Sequence, residues 1–360
     1  MAKVLTPREN TSFVGHAAAE AQWLEAYTSK RFHHAWLITG PKGVGKATLA
    51  YRIARYLLNS KEAPEPQGFD MFGAAPAKPS LGVSPTHPIV ARVTQGSHGD
   101  LFVLDTSPTE EDENKSEIVV DDVRKLHQFL GMTPAESEWR VVVVDSADQM
   151  NHNASNALLK LLEEPPAQSV IIMVSHTPGR LLPTIRSRCV NLRLNPLSES
   201  EITEVLKAHH ATDSKEVSFA AAVSSGSPGL ALTLAEAGAL EMYGKLVNTL
   251  STLPKLDKTA VIALADALSV RDESQWELAQ YLVRYFIARV VNAKTVKENV
   301  PEWVMGEGAL LSRLASTTQL DSWLELWEKS GRMLADVDRI NMGKKHTAIA
   351  LLEAFREAAA

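Results

Sequence analysis

The stretch Thr39-Gly40-Pro41-Lys42-Gly43-Val44-Gly45-Lys46-Ala47-Thr48 constrains this chain more than any other. Gly40, Gly45 and Lys46 stand in the register of the phosphate-cradling loop G-x-x-x-x-G-K-[ST]. The apolar run at 35–38 before them reads as a strand, and Ala47 to Asn59 after them reads as a helix. In that context the glycines, Gly43 among them, let backbone N–H groups wrap an anion. The helix N-terminus adds partial positive charge, and Lys46 reaches toward the outer phosphates. One position departs from the pattern: Ala47 stands where a magnesium-binding hydroxyl belongs. Thr48 supplies a hydroxyl one residue later, at a different angle around the helix.

Strands and helices alternate around this loop. Ala17, Ala18, Ala21, Trp23, Leu24 and Tyr27 form one apolar face of a helix over 16–28. Strand signals recur at 101–104, 140–145, 170–174 and 190–194, and the β-branched run Arg140 to Asp145 is of the kind covered on both faces in a parallel sheet. Between them, helices are predicted from about Asp121 to Leu130 and from Asn153 to Glu164, the latter stopped by Pro165 and Pro166. Six prolines and five glycines interrupt every periodicity from 60 to 99, which reads as an insertion, and 106–117 reads as an acidic surface loop. After Pro196 the patterns are helical. Ser198 followed three residues later by Glu201 is capping-box chemistry, and long amphipathic helices are expected over 274–291 and 318–334. Four of the seven tryptophans lie in this later half and read as helix-packing residues or subunit interface.

Composition narrows the function. The 360 residues, 45% hydrophobic, suffice for roughly two or three cores. With 37 basic and 43 acidic side chains the net charge is −6, so no global positive field gathers nucleic acid and any DNA contact is local or shared. One cysteine, Cys189, excludes an intrachain disulfide and a four-thiolate zinc site. No run approaches the ~18 apolar residues that span a bilayer, and the start lacks a signal-peptide core. The chain reads as cytoplasmic, with no membrane partner.

The second half of an ATP site is incomplete. Asp145 ends the strand at 141–144, where a magnesium-organising carboxylate sits in phosphate-loop proteins. The next residue should be the carboxylate that polarises a water, and it is Ser146, a poor base. Asp148 is expected to point elsewhere if a helix starts there.

Several further segments then fall into place together: Phe13-Val14-Gly15, His33 to Gly40, Thr86-His87-Pro88, Ile118 to Arg124, Ala154 to Lys160, Leu162-Glu163-Glu164-Pro165-Pro166, Thr184 to Cys189, Ser225 to Gly229 and Arg339-Ile340-Asn341. In these, and in their order, the chain resembles the AAA+ clamp-loader family of bacterial DNA polymerase III over nearly its whole length. The resemblance implies α/β followed by all-α: a P-loop AAA+ parallel-sheet domain over 1–196, a small helical lid domain over 197–240 and a C-terminal helical collar over 241–360. It implies that Ser187-Arg188-Cys189 lies at a subunit boundary, with Arg188 acting in trans as an arginine finger on the ATP of a neighbouring motor subunit. Cys189 then has no catalytic task. Motor members carry a phosphate-sensing arginine near the start of the helix at 228, and Pro228-Gly229-Leu230 offers none.

Gly40, Gly43, Gly45, Lys46, Thr48 and Asp145 thus form a degenerate nucleotide site, able at most to hold ATP or ADP without hydrolysis, and no cofactor is required. The expected role is that of a non-hydrolysing stator without intrinsic ATPase activity, a component of a DNA-directed DNA polymerase holoenzyme. The implied partners are motor subunits of the gamma/tau type and a delta subunit, with sliding clamp and primed DNA engaged through the complex. The alternative is a motor subunit that itself hydrolyses ATP through Lys46, Thr48 and Asp145. A nucleic-acid module outside replication is disfavoured by the charge balance and the lack of a basic aromatic groove motif.

Many members of the family carry four zinc-binding cysteines after the first helix, whereas 60–99 holds none, and no cysteine or histidine stands at metal-ligand spacing from His87 or His98 in the sequence. The expectation is a zinc-free protein. Metal analysis of dialysed protein should find no stoichiometric zinc, and EDTA should leave the melting temperature where it was; one zinc per chain would refute this reading.

Overall fold

The computed structural model describes residues 5–29, 32–59, 80–107, 115–209, 215–269, 273–295, 301–340 and 343–360. Residues 60–79 of the expected insertion, 108–114 of the acidic loop and Asn341 of the C-terminal motif lie outside them. The chain divides into two compact units, Ala2–His209 with Ser225–Gly229, and His210–Ser224 with Leu230–Ala360. The division expected from the sequence is a finer one that assigns the helix after 198 to a lid; here that helix groups with the sheet.

The first unit runs α1 (Ala17–Thr28), β1 (Ala35–Thr39), α2 (Lys46–Leu58), α3 (Pro88–Gln95), β2 (Leu101–Asp105), α4 (Val120–Leu130), β3 (Arg140–Asp145), α5 (His152–Glu163), β4 (Ser169–Ser175), α6 (Pro183–Arg186), β5 (Val190–Arg193) and α7 (Glu199–His209). The strands form one parallel sheet of order β2-β3-β4-β1-β5. Successive side chains of a strand point to opposite faces. Val141 and Val143 accordingly enter one core with Leu49, Ile53 and Leu57 of α2. Val142 and Val144 enter the other, with Val123 and Leu126 of α4 and Leu158 and Leu162 of α5. Each such side chain, fully buried, stabilises by about 1.5–3 kcal/mol. The capping box at α7 is realised: Ser198 N–H donates to Glu201 at 2.8 Å, and Glu201 N–H to the Ser198 hydroxyl at 3.3 Å.

The second unit is helical: α8 (Lys215–Val223), α9 (Pro228–Glu236, whose first two residues group with the first unit), α10 (Ala239–Leu250), α11 (Lys258–Leu268), α12 (Glu273–Thr295), α13 (Glu307–Thr317), α14 (Leu320–Ile340) and α15 (Lys344–Ala358). Trp276 and Trp323 are buried in it, as helix-packing residues should be. At its centre the buried Glu307 accepts from the Tyr243 hydroxyl at 2.5 Å and from Trp303 N–H at 2.8 Å, with Arg289 Nε 3.2 Å away. A buried carboxylate is tolerated because it is paired and hydrogen-bonded on every side. Among the described residues no helix is long and apolar enough to cross a membrane.

The stretch 60–99 reads as an insertion without a periodicity of its own, and α3 lies within it. His87 caps it by accepting from Ile89 N–H at 3.2 Å, Pro88 occupies its first turn, and Gly96 closes it at φ 71°. Eight residues are too few for an amphipathic period to show, so only this cap chemistry marked the helix.

Just beyond α3, the fully buried Asp100 fixes how β2 and β3 enter the sheet. Its carboxylate accepts from the N–H groups of Ala135, Glu136 and Ser137 at 2.7, 2.8 and 2.9 Å and from the Ser137 hydroxyl at 3.1 Å. Burial alone would push this carboxyl up; the N–H groups of Ala135, Ser137 and Glu136, with the Ser137 hydroxyl, outweigh it and hold it below the ordinary carboxylate range. Its contribution to stability is therefore present above the ordinary carboxylate pKa and lost as pH falls through the depressed value. Asp100→Asn sets an amide NH₂ against these donors and should cost about 1–3 kcal/mol at pH 7. It should also flatten the loss of stability on acidification. Denaturant melts at pH 7 and at a pH below the ordinary carboxylate value check this, and a variant as stable as the parent at pH 7 would overturn it.

Candidate functional site

The loop after β1 has the conformation its glycines allow. Gly43 and Gly45 have φ of 77° and 104°. At Gly40 a Cβ would lie 2.5 Å from the Leu194 carbonyl oxygen, so no other residue fits. Lys46 begins α2 and is buried; its Nζ donates to the carbonyls of Gly40 at 2.7 Å and Pro41 at 2.6 Å. The next carbonyls are also engaged. Ser227 Oγ donates to Lys42 O at 3.1 Å, Gly229 N–H to Gly43 O at 2.9 Å, and His16 Nε2–H to Val44 O at 3.0 Å. Five consecutive carbonyls, 40 to 44, are thus fastened from three directions. The start of α9 lies directly on the loop: a Cβ on Gly229 would be 3.1 Å from Gly43 O.

Burial pushes the Lys46 ammonium down to about 8, opposed first by Asp148 and then by Asp145. Asp145 ends β3 in register with Asp105 at the end of β2. Its carboxyl is pushed up by burial and by Asp105, and is held back by Lys46. Ser146 is buried, and its N–H donates to Gln149 Oε1 at 3.3 Å. Asp148 is the residue whose part the sequence concealed. It accepts from Ser175 Oγ at 2.7 Å, His176 N–H at 2.5 Å and Thr177 N–H at 3.2 Å, tying the exit of β4 to the segment after β3. Its oxygens are committed there, yet its charge is the largest influence favouring protonated Lys46.

The loop therefore brings Gly40, Gly43, Gly45, Lys46 and Asp145 together, with Ala47 and Thr48 half-buried on the first turn of α2. Turned glycines at a helix N-terminus suit a phosphate. Ala47 has no oxygen to offer a magnesium ion and Asp148 is already engaged, so Asp145 is the carboxylate left beside Lys46.

Arg188 belongs to a separate constellation. It follows α6, and its Nη1 donates to Thr184 O at 3.0 Å while its Nη2 pairs with Glu163 Oε1 at 2.7 Å. The two side chains are 35% and 48% exposed, which keeps the guanidinium within reach of another molecule. Arg186 is exposed. Cys189 donates its thiol to Ile185 O at 3.1 Å, and burial pushes that thiol up to about 12, so it stays neutral at physiological pH. The sequence reading did not single out Glu163. A signal existed: α5 is stopped by Pro165-Pro166 with a carboxylate in its last turn, the end of a helix dipole where an acid is unfavourable without a cation beside it.

Residues 83–198 match the family model described as DNA polymerase III, delta subunit. The DNA polymerase III subunit delta' of Pseudomonas aeruginosa is 33% identical over 237 residues, covering 66% of this chain and 66% of that protein. The delta' subunit of Escherichia coli K12 is 33% identical over 210 residues, covering 58% and 56%. A DNA polymerase III subunit gamma of Buchnera aphidicola is 28% identical over 207 residues, covering 58% and 50%. The chain thus spans between half and two thirds of the length of these relatives.

The depressed Lys46 value gives a pH signature. Between about pH 8 and 10.5 the unfolded chain still holds the proton that the folded chain has released, so this group makes stability rise with pH across that window. Lys46→Met should remove the rise, and a side-chain NMR titration should give a midpoint near 8. A midpoint at the ordinary lysine value would show that the ammonium stays hydrated.

Proposed function

The chain belongs to the clamp-loader family of DNA polymerase III delta' subunits, and from that premise we propose that it is the stator of a clamp loader. In this reading it does not hydrolyse ATP. It donates Arg188 to the ATP site of an adjoining motor subunit of the gamma/tau type, within a hetero-oligomer that includes a delta subunit and loads a sliding clamp onto primed DNA. The helical segments act as lid and collar, the latter joining subunits.

The observation that carries this reading is the guanidinium of Arg188, part-exposed and held by two anchors, set against a loop with Ala47 in place of a hydroxyl and Ser146 in place of a carboxylate. A fixed planar cation opposite a transferring phosphoryl group stabilises the charge that develops there; such fingers are worth on the order of 10³–10⁵ in rate. For the chain's own loop, the glycine pattern and Lys46 favour the second reading, a hydrolysing motor. The absence of an aligned base weighs against it.

Reconstitution with the motor subunits separates the two. Arg188→Ala should fold and co-purify as the parent does, yet lower ATP turnover at the adjoining site by roughly 10³-fold. Lys46→Ala should leave turnover by the complex close to normal. Unchanged turnover with Arg188→Ala would overturn the finger, and magnesium-dependent turnover by the purified chain alone would establish the motor reading instead.

A further inference from the structure

Glu163 has no part in the site as read so far, yet it is what orients Arg188. The two side chains are 35% and 48% exposed, and ion pairs at such positions contribute only about 0–1 kcal/mol to a fold. The pair therefore does little for stability. Its geometry is more informative. The guanidinium is held at two points from two elements, Glu163 at the end of α5 and the Thr184 carbonyl in α6. Each anchor takes one N–H, from different terminal nitrogens, so three of the five guanidinium N–H groups remain for an incoming acceptor.

The anchor is itself fixed. Pro165 and Pro166 end α5, Glu164 N–H donates to Lys160 O at 3.0 Å, and the Leu162 carbonyl accepts from His34 Nε2–H at 3.0 Å. His34 stands immediately before β1, which lies between β4 and β5 in the sheet. The position of Glu163 thus derives from the rigid core of the unit rather than from a loop.

We propose that Glu163 is a positioning residue for the trans action of Arg188: it holds the guanidinium in its working orientation before the neighbour's ATP arrives. This rests on the finger reading above. A free arginine would have to give up about 2 kcal/mol of rotamer entropy at the moment of use. A carboxylate could instead act as a brake, by neutralising the cation. A brake would be strongest as a bidentate, fork-to-fork pair. The contact here engages a single nitrogen and leaves most of the fork open, which favours positioning.

The test uses the reconstituted complex with Glu163→Ala, Glu163→Gln, Arg188→Ala and the Glu163→Ala/Arg188→Ala double variant, reading kcat and KM for ATP, co-purification and melting temperature. Glu163→Ala should lower kcat by about 10- to 100-fold, the penalty of a misplaced catalytic group. KM, assembly and melting temperature should stay as in the parent. Glu163→Gln keeps a carbonyl acceptor at the same place and should recover most of the loss, and the double variant should be no slower than Arg188→Ala alone. If Arg188→Ala slows turnover but Glu163→Ala leaves it unchanged or faster, positioning is wrong and the finger stands. If Arg188→Ala has no effect, the finger reading falls and this proposal with it. Loss of co-purification in Glu163→Ala, or a further loss in the double variant, would show that Glu163 acts by another route and would overturn the proposal.

Discussion

A parallel sheet has no face it can leave to water, and much of the first unit follows from covering both. β3 and β4 are almost wholly apolar because helices lie on either side, and the alternation of Val141 to Val144 feeds two cores at once. The order β2-β3-β4-β1-β5 then brings the C-terminal ends of β3, β4 and β1 side by side. That edge is where open α/β sheets place their ligands. The glycine loop, Asp145, Ser175 and Asp148 meet there because covering the sheet puts them there.

The same requirement decides what could be read in advance. Continuous β-branched runs and proline stops are local signals, so the strands and helices α1, α2, α4 and α5 were legible within a residue or two, whereas α12 and α14 run four and six residues past their expected ends. The phosphate-loop spacing was legible because its register is set by backbone geometry. What escaped depends on contacts between distant segments. Asp100 looks like any loop aspartate until residues 135–137 turn their N–H groups toward it. Asp148 is bound by the exit of β4, 27 to 29 residues later. Glu163 meets Arg188 only through the fold, and α3 was too short for a period. Positions of Lys46 and Arg188 were thus readable, whereas their partners were not.

The glycines carry less functional meaning than the motif suggests. Gly40 is required by the Leu194 carbonyl, and Gly229 sits tightly on Gly43, whatever the loop binds. With five carbonyls fastened, the loop joins β1 and α2 to the segment before α9, and each such bond contributes roughly 0.5–1.5 kcal/mol net. A phosphate loop can therefore keep its shape for the sake of the fold, whatever chemistry it carries. Ala47 and Ser146 lie outside the glycine turns, and those are the positions at which the motif departs from a working site.

Lys46 and Arg188 differ in the way the proposed division of roles requires. Lys46 is enclosed, and burial has already brought its ammonium from 10.5 down to about 8. At that value it is still mostly charged at neutral pH, and its N–H groups are given to the carbonyls of Gly40 and Pro41 beside it. A guanidinium is delocalised, weakly hydrated and charged at any physiological pH, so it keeps its charge when a neighbouring surface strips away its water. On the proposed reading the residue that acts across a boundary between subunits is Arg188, and the carboxylate paired with it adds little to the stability of the fold. The orientation of such a pair is separable from folding, and the proposed finger therefore asks little of the stability of the fold.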